Sequence, residues 1–179
     1  MTDGTIEQHD ERVTFRYQRQ LRHSIDKVWR AITDPDELAV WLGTRPELDL
    51  RVGGLYVMIH TTADGSAPLR VEDKVVAVQP PRLFQHTFWL ELNPSALVTW
   101  ELTPTEDGGT RLDLTHELDL ADMKSVAGQE SIVTIMSRNA SGWHVLLDRI
   151  TEALTGNGQQ DWPKAAQQVL QRRYATQLG

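Results

Sequence analysis

The chain of 179 residues contains no cysteine. Disulfide frameworks, thiolate zinc sites, iron–sulfur clusters and thiol catalysis are therefore excluded. Basic residues are in deficit: 18 Lys+Arg stand against 25 Asp+Glu, a formal net charge of -7. That balance speaks against general affinity for nucleic acid or for an anionic membrane surface. Long apolar runs are also missing. No window nears the roughly 18 uninterrupted apolar residues of a membrane helix. The stretch from Met1 to Arg12 is polar and acidic, without the apolar core of a signal peptide. A cytoplasmic protein with no membrane span is the expectation, and Asn139-Ala140-Ser141 then has no meaning as a glycosylation acceptor. The nucleophile elbow Gly-x-Ser-x-Gly, the phosphate-binding glycine loop and the dinucleotide fingerprint are absent. No two histidines have the spacing of a helical metal site, so neither metal nor cofactor is implied. Phenylalanine and tyrosine are scarce at three each, yet there are six tryptophans.

What is present is the pattern of one domain. A chain this long buries roughly 70 % of its unfolded surface and needs no covalent or metal staple. Residues 1–12 read as a flexible arm. Val13, Phe15, Tyr17 and Leu21 then alternate as in a strand. Ser24 is a helix N-cap candidate ahead of Ile25, Val28, Trp29 and Ile32 at helical spacing. Asp34-Pro35-Asp36-Glu37 starts a second short helix bearing Leu38, Trp41 and Leu42: a cap residue, a first-turn proline, then acids near the positive end of the dipole.

Between Leu48 and Leu118 the chain breaks into short runs rich in β-branched and aromatic residues. They fall at 48–52, 55–62, 69–79, 83–92, 97–104 and 110–118. Gly53-Gly54, Asp64-Gly65-Ser66, Pro80-Pro81, Asn93-Pro94-Ser95 and Asp107-Gly108-Gly109 punctuate them. Connections so short demand an antiparallel meander, because a parallel crossover needs a helix between strands. The acidic stretch 119–130 reads as an irregular loop, either solvated or a lid. Ile132, Ile135, Met136, Asn139, Trp143, Leu146, Leu147, Ile150 and Leu154 then mark one long helix that stops near Gly156. A terminal amphipathic helix follows Asp161-Trp162-Pro163, with Ala166, Val169, Leu170, Tyr174 and Leu178 on one side.

The fold class is thus α+β. A curved antiparallel sheet of about seven strands must cover its apolar face, and the helix over 131–155 is the one element long enough to do so. Two short helices follow the first strand. Residues 13–155 form this domain and residues 156–179 an added helix, packed on the domain or on a partner. A sheet curved round one helix commonly leaves a cleft.

Several stretches, taken in order, carry a resemblance. They are Ser24-Ile25-Asp26-Lys27-Val28-Trp29-Arg30-Ala31-Ile32-Thr33-Asp34-Pro35 with Leu38 and Trp41; Asp49-Leu50-Arg51-Val52-Gly53-Gly54; and Val78-Gln79-Pro80-Pro81-Arg82-Leu83. Thr110-Arg111-Leu112-Asp113-Leu114-Thr115-His116 and Gly142-Trp143 with Leu146, Leu147 and Leu154 complete the set. Their order resembles the helix-grip, START-like superfamily that also holds the SRPBCC domains, and within it the bacterial relatives of the activator of heat-shock-protein ATPase. The resemblance implies the fold and a cavity. It does not imply one function, because such relatives include lipid carriers, metabolite binders, aromatase/cyclases and the co-chaperone domain itself.

The site must be sought in the interior. Trp41, Trp100 and Trp143 lie on elements that can face it, whereas Trp29 and Trp162 read as helix anchors and Trp89 sits at the outward parity beside Phe88. His86 shares parity with Phe84 and Phe88, and His116 with Leu112 and Leu114; both point inward. His60 lies on a strand that is apolar on both faces and stays unassigned. Asn139 is the polar member of the helix stripe. The candidate ligand-binding residues are Trp41, His86, Phe88, Trp100, Leu114, His116, Met136, Asn139, Trp143 and Leu147. The competing account is an ordinary core in which each indole N–H and each imidazole finds a partner. Gly142 marks either a close backbone approach or plain packing. The first functional expectation is a hydrophobic or aromatic small molecule held between sheet and long helix. The alternatives are a cyclase/aromatase-like enzyme using His116 and His86 as acid–base groups, and a co-chaperone-like interaction module. The terminal helix is a candidate homodimer surface.

Overall fold

The computed structural model describes residues 3–61, 67–128, 130–157 and 161–178. The Asp64-Gly65-Ser66 turn signal lies outside them. Strand β1 (Thr5–His9) turns at Asp10-Glu11 into β2 (Arg12–Leu21). Helices α1 (Ile25–Thr33) and α2 (Pro35–Leu42) lead to β3 (Glu47–Leu48), β4 (Leu55–Thr61), β5 (Pro68–Gln79), β6 (Leu83–Thr87), β7 (Leu97–Pro104) and β8 (Thr110–Asp119). Then come α3 (Leu120–Ala127), α4 (Ile132–Leu154) and α5 (Lys164–Leu178). The strands make one open antiparallel sheet in the order β1-β2-β8-β7-β6-β5-β4-β3. Strands β3 to β8 are a meander, and α1–α2 carries the chain from β2 to the far edge. No helix among the described residues is long and apolar enough to cross a membrane.

Local chemistry explains the start of the crossover. Asp34 ends α1 and caps α2, its carboxylate accepting from the N–H of Asp36 at 2.9 Å and of Glu37 at 3.3 Å. Gly43, at φ 85°, ends α2 in the left-handed conformation that costs glycine least. In the sheet, strict alternation sends Thr110, Leu112, Leu114, His116 and Leu118 of β8 inward. Register then builds rows across the inner face: Phe15, His116, Val98, His86 and Val75 in one, Tyr17, Leu114, Trp100, Phe84 and Val78 in the next. Helix α4 lies on these rows and buries Ile135, Met136, Trp143, Leu147, Ile150 and Leu154.

Four expectations change. Residues 5–9 are an edge strand paired with β2, not a free arm, which raises the sheet to eight strands. Ile6 is the lone aliphatic residue of that strand, too little to show a pattern. The acidic stretch after β8 holds helix α3, because Leu120 and Met123 have core to bury against. The run at 83–92 ends as a strand at Thr87. On α5, Val169 is 64 % exposed and Ala166 is also exposed, while Tyr174 is fully buried.

Tyr174 anchors α5 to its own chain. Its hydroxyl accepts from Gly4 N–H at 2.8 Å and shares a hydrogen bond with His144 Nδ1 at 2.9 Å. His144 Nε2 lies 3.5 Å from Asp148 Oδ2, and Asp148 also pairs with the buried Arg19 of β2 at 3.1 Å. Beside them the Tyr17 hydroxyl donates to Ala140 O at 2.8 Å. Gly4 is required here: a Cβ would sit 2.1 Å from the Tyr17 ring. Gly142 faces this side as well: a Cβ added there would meet Gln167 of α5 at 3.9 Å, an ordinary van der Waals contact, so no close approach at this position demands glycine. Tyr174→Phe removes a hydroxyl with two buried partners and is expected to cost about 1–3 kcal/mol. Urea unfolding checks the magnitude, and hydrogen exchange should speed up at Gly4 and along β1 before it does in β7 or β8.

Candidate functional site

A cavity of about 290 Å³ lies where the C-terminus of α2, strands β4, β6 and β7, and the middle of α4 meet. Its wall is made by Trp41, Leu42, Gly43, Thr44, Tyr56, Met58, Ile59, His60, His86, Phe88, Trp100, Trp143, Leu146 and Trp162. Four of the six tryptophans of the chain are in it. None of these residues carries Asp, Glu, Lys or Arg chemistry.

Each wall element has a local reason for its place. Tyr56, Met58 and His60 are alternate residues of β4, so they share the inner face. The Trp41 indole is fixed by donation to Ala31 O at 2.8 Å, which locks α2 onto α1. Trp100 stands T-shaped to Trp143 with centroids 5.9 Å apart, and Trp41 tilts against Trp100 at 6.2 Å. Arg149 ties the rim together. Its Nε donates to Trp41 O at 2.7 Å and its guanidinium lies 5.7 Å from the Trp162 ring centre.

Phe88 reaches the wall through a bend that β5 creates. Asp73 is completely buried and accepts from Thr87 Oγ1 at 2.8 Å, Leu90 N at 3.1 Å and Trp89 N at 3.2 Å. This carboxylate pulls the chain out of β6 immediately after Thr87. Trp89 takes a positive φ of 56°, and its ring then lies 4.9 Å from His60 rather than free in solvent. Burial pushes the Asp73 carboxyl upward, against the three donors that favour its charged form.

The two inward histidines are neutral acceptors for tryptophan. An indole N–H can only donate. Trp143 Nε1 donates to His116 Nδ1 at 2.9 Å, and Trp100 Nε1 donates to His86 Nε2 at 3.2 Å. The remaining proton of His86 goes from Nδ1 to Thr87 O at 2.6 Å. The proton of His116 sits on Nε2, which is buried without a partner among the described residues. Their lone pairs are thus occupied, and neither imidazole is placed as a ready general base. His116 packs between the rings of Phe15 at 5.5 Å and Phe88 at 5.1 Å, one layer behind the wall.

Of the ten candidate residues, the fold brings Trp41, His86, Phe88, Trp100 and Trp143 into the wall. It does not bring Leu114, His116, Met136, Asn139 or Leu147 there. Leu114, His116, Met136 and Leu147 are at most 2 % exposed and belong to the packed core beneath. Asn139 turns along α4 and donates to Ile135 O at 3.2 Å. Inward parity places a residue on the right face but does not say how far along the groove side chains fill it. Sequence reasoning missed Tyr56, Met58, Ile59, His60, Leu146, Trp162 and the Leu42–Thr44 turn. The alternation of Tyr56, Met58 and His60 was the available signal, hidden by apolar residues on both faces of the strand.

Burial pushes His86 down to about 4 and His116 down to about 3, the neighbouring His86 adding to the latter and the Thr87 carbonyl opposing the former. Unfolded, both titrate near 6.5, so the unfolded chain takes up protons first as the pH falls. Their contribution to stability is complete above about pH 6.5 and is lost from there down to about pH 4 for His86 and about pH 3 for His116, on the order of several kcal/mol together. The urea midpoint is expected to fall across this window. His86→Gln should show a flatter fall, and an unchanged profile would contradict the buried neutral imidazole.

Comparison with known proteins agrees with this architecture. The family model for Activator of Hsp90 ATPase homolog 1-like proteins matches residues 22–155. No curated protein matches in sequence. The crystal structure of CalU16 from Micromonospora echinospora is 19 % identical with a TM-score of 0.73, covering 98 % of this chain and 97 % of that one. A conserved protein of unknown function from Enterococcus faecalis, EF2215, is 17 % identical with a TM-score of 0.72, covering 98 % and 90 %. Protein MLL2253 from Mesorhizobium loti is 24 % identical with a TM-score of 0.60, covering 79 % and 96 %. Identities this low establish a shared fold. The extent of the family match, from the end of β2 to the end of α4, shows that this chain belongs to the Activator of Hsp90 ATPase homolog 1-like family.

Proposed function

We propose that this protein binds an uncharged, largely apolar small molecule in the cavity between α2, β4 and α4. The helix-grip fold of the family supports a ligand-binding type of function. The observation that carries the reading is the wall itself: four tryptophans, with Tyr56, Met58 and Phe88, surround about 290 Å³. That is close to the lower end of small-molecule sites, about 300–1,000 Å³, which are also mostly apolar with a few placed polar groups. A core built for stability alone closes such space, since voids in a packed interior are costly. Rigid aromatic walls, each indole fixed by its own acceptor, lose little entropy when a ligand enters.

The enzyme alternative draws no support from the imidazoles it needs. His86 spends both nitrogens on Trp100 and Thr87, and His116 accepts from Trp143. Both stay neutral well below pH 7.

The test is titration with the neutral dye N-phenyl-1-naphthylamine, followed by dye emission and tryptophan quenching. Saturable binding is expected. Leu146→Trp, which fills the mouth from α4, should weaken it at least tenfold while the thermal midpoint stays within about 3 °C, because Leu146 is only half-buried. Equal affinity in that variant, or no saturable binding in the wild type, would sink the proposal.

A further inference from the structure

We infer that the ligand of this cavity carries an uncharged carbonyl group, and that the Tyr56 hydroxyl donates a hydrogen bond to its oxygen. This rests on the binding role proposed above and adds the chemistry of the occupant.

Tyr56 stands in the wall on the inner face of β4 and keeps 3 % of its surface exposed. Its hydroxyl has no hydrogen-bond partner among the described residues. Unlike the unpaired His60 Nε2 and His116 Nε2, that oxygen is not sealed in the interior. The surface it keeps is therefore cavity surface. A polar group left without a partner in such a place costs free energy that a ligand group can recover.

The other polar side-chain groups of the wall offer less. Trp41 donates to Ala31 O, Trp100 to His86, Trp143 to His116 and Trp162 to Gln167 Oε1 at 2.7 Å. His86 commits its second nitrogen to Thr87 O, and the exposed Thr44 donates to Ile59 O at 3.2 Å. His60 packs its ring 4.9 Å from Trp89, and its Nε2 has no surface to present. It also stands about 13 Å further along β4 than Tyr56, at roughly 3.3 Å per residue.

The partner of Tyr56 follows from its state. Burial and the Asp73 carboxyl, its opposite number on β5, push its pKa up, so the hydroxyl keeps its proton. A phenol donates more strongly than it accepts, because its oxygen lone pair is shared with the ring. The matching ligand group is an acceptor, and a carbonyl oxygen is a strong one that brings no charge. A carboxylate accepts too, but no Lys or Arg lines the wall and an unpaired charge in an apolar site is expensive.

Displacement of N-phenyl-1-naphthylamine at pH 7 by three probes of similar shape tests this. They are 2-acetonaphthone, the hydrocarbon 2-isopropenylnaphthalene, in which CH2 replaces the carbonyl oxygen, and the anion 2-naphthoate. The ratio of the ketone and hydrocarbon midpoints is compared between wild type and Tyr56→Phe, so that their different hydrophobicity cancels. The substitution should shift that ratio by about five- to tenfold against the ketone. The urea midpoint of Tyr56→Phe should not fall, because the hydroxyl has no protein partner to lose. In the wild type 2-naphthoate should be at least roughly tenfold weaker than the ketone. A ratio that changes by less than about twofold would overturn the inference and move the contact away from Tyr56. So would a lowered urea midpoint, which would give the hydroxyl a partner within the protein, or naphthoate as potent as the ketone. If the dye itself does not bind, the cavity reading fails first and this inference falls with it.

Discussion

A tryptophan can enter a protein interior only if something accepts its N–H. Three indoles meet that condition at the centre of this molecule, and each does so differently. Trp41 uses the Ala31 carbonyl, Trp100 uses His86 and Trp143 uses His116. These bonds join α2 to α1, β7 to β6, and α4 to β8. The gripping helix is therefore held to the sheet by a directional bond as well as by apolar contact, and its rotation and register are set by it. Imidazole suits the task because it is apolar enough to bury and still keeps a lone pair when neutral. The same burial that makes the acceptors useful keeps them uncharged.

Once the indoles are fixed, the space between them is fixed too. The sheet curves, α2 stands off its far edge, and the groove toward β4 is wider than the side chains that line it. Near β2 and β8, Phe15, Leu114 and Met136 fill the corresponding space. Asp73 adds the last wall piece by a purely electrostatic device. It collects the donors of the Thr87–Leu90 bend and thereby aims Phe88 inward and Trp89 across His60. The cavity is thus produced by hydrogen bonds that order rigid rings.

Helix α4 has a second loaded flank. Its sheet side carries the core, and its other side carries His144 and Asp148 against Tyr174 and Arg19. Residues near the two ends of the chain meet there, with Gly4 and Tyr174 in one hydrogen-bonded group that is not part of the cavity wall. Burying an ion pair such as Arg19–Asp148 stabilises little by itself, but removing one partner leaves an expensive orphan. Such a group specifies how α5 docks more than how strongly.

Much of the architecture was legible from period alone. Strand parity on β8 and the helical stripe of α4 named the two faces of the core, and Asp34-Pro35 marked a helix start that the structure keeps. What period could not supply was distance along the groove. His116 and His86 have equivalent inward parity, yet one is core and the other is wall, because α4 crosses over the first and leaves the second beside the gap. Nor could local pattern show Asp73, whose carboxylate acts on residues 14 to 17 positions later, or Trp162, which joins the wall only when α5 folds back. The edge strand β1 and helix α3 escaped for a related reason: β1 has one aliphatic residue, Ile6, α3 is a short helix that buries Leu120 and Met123, and each is stabilised by what it packs on. The sequence by itself determined which side chains must be buried, since alternation and helical spacing are local. Tertiary structure decided which of those buried groups face one another and which face empty space, since that depends on partners far apart in the chain.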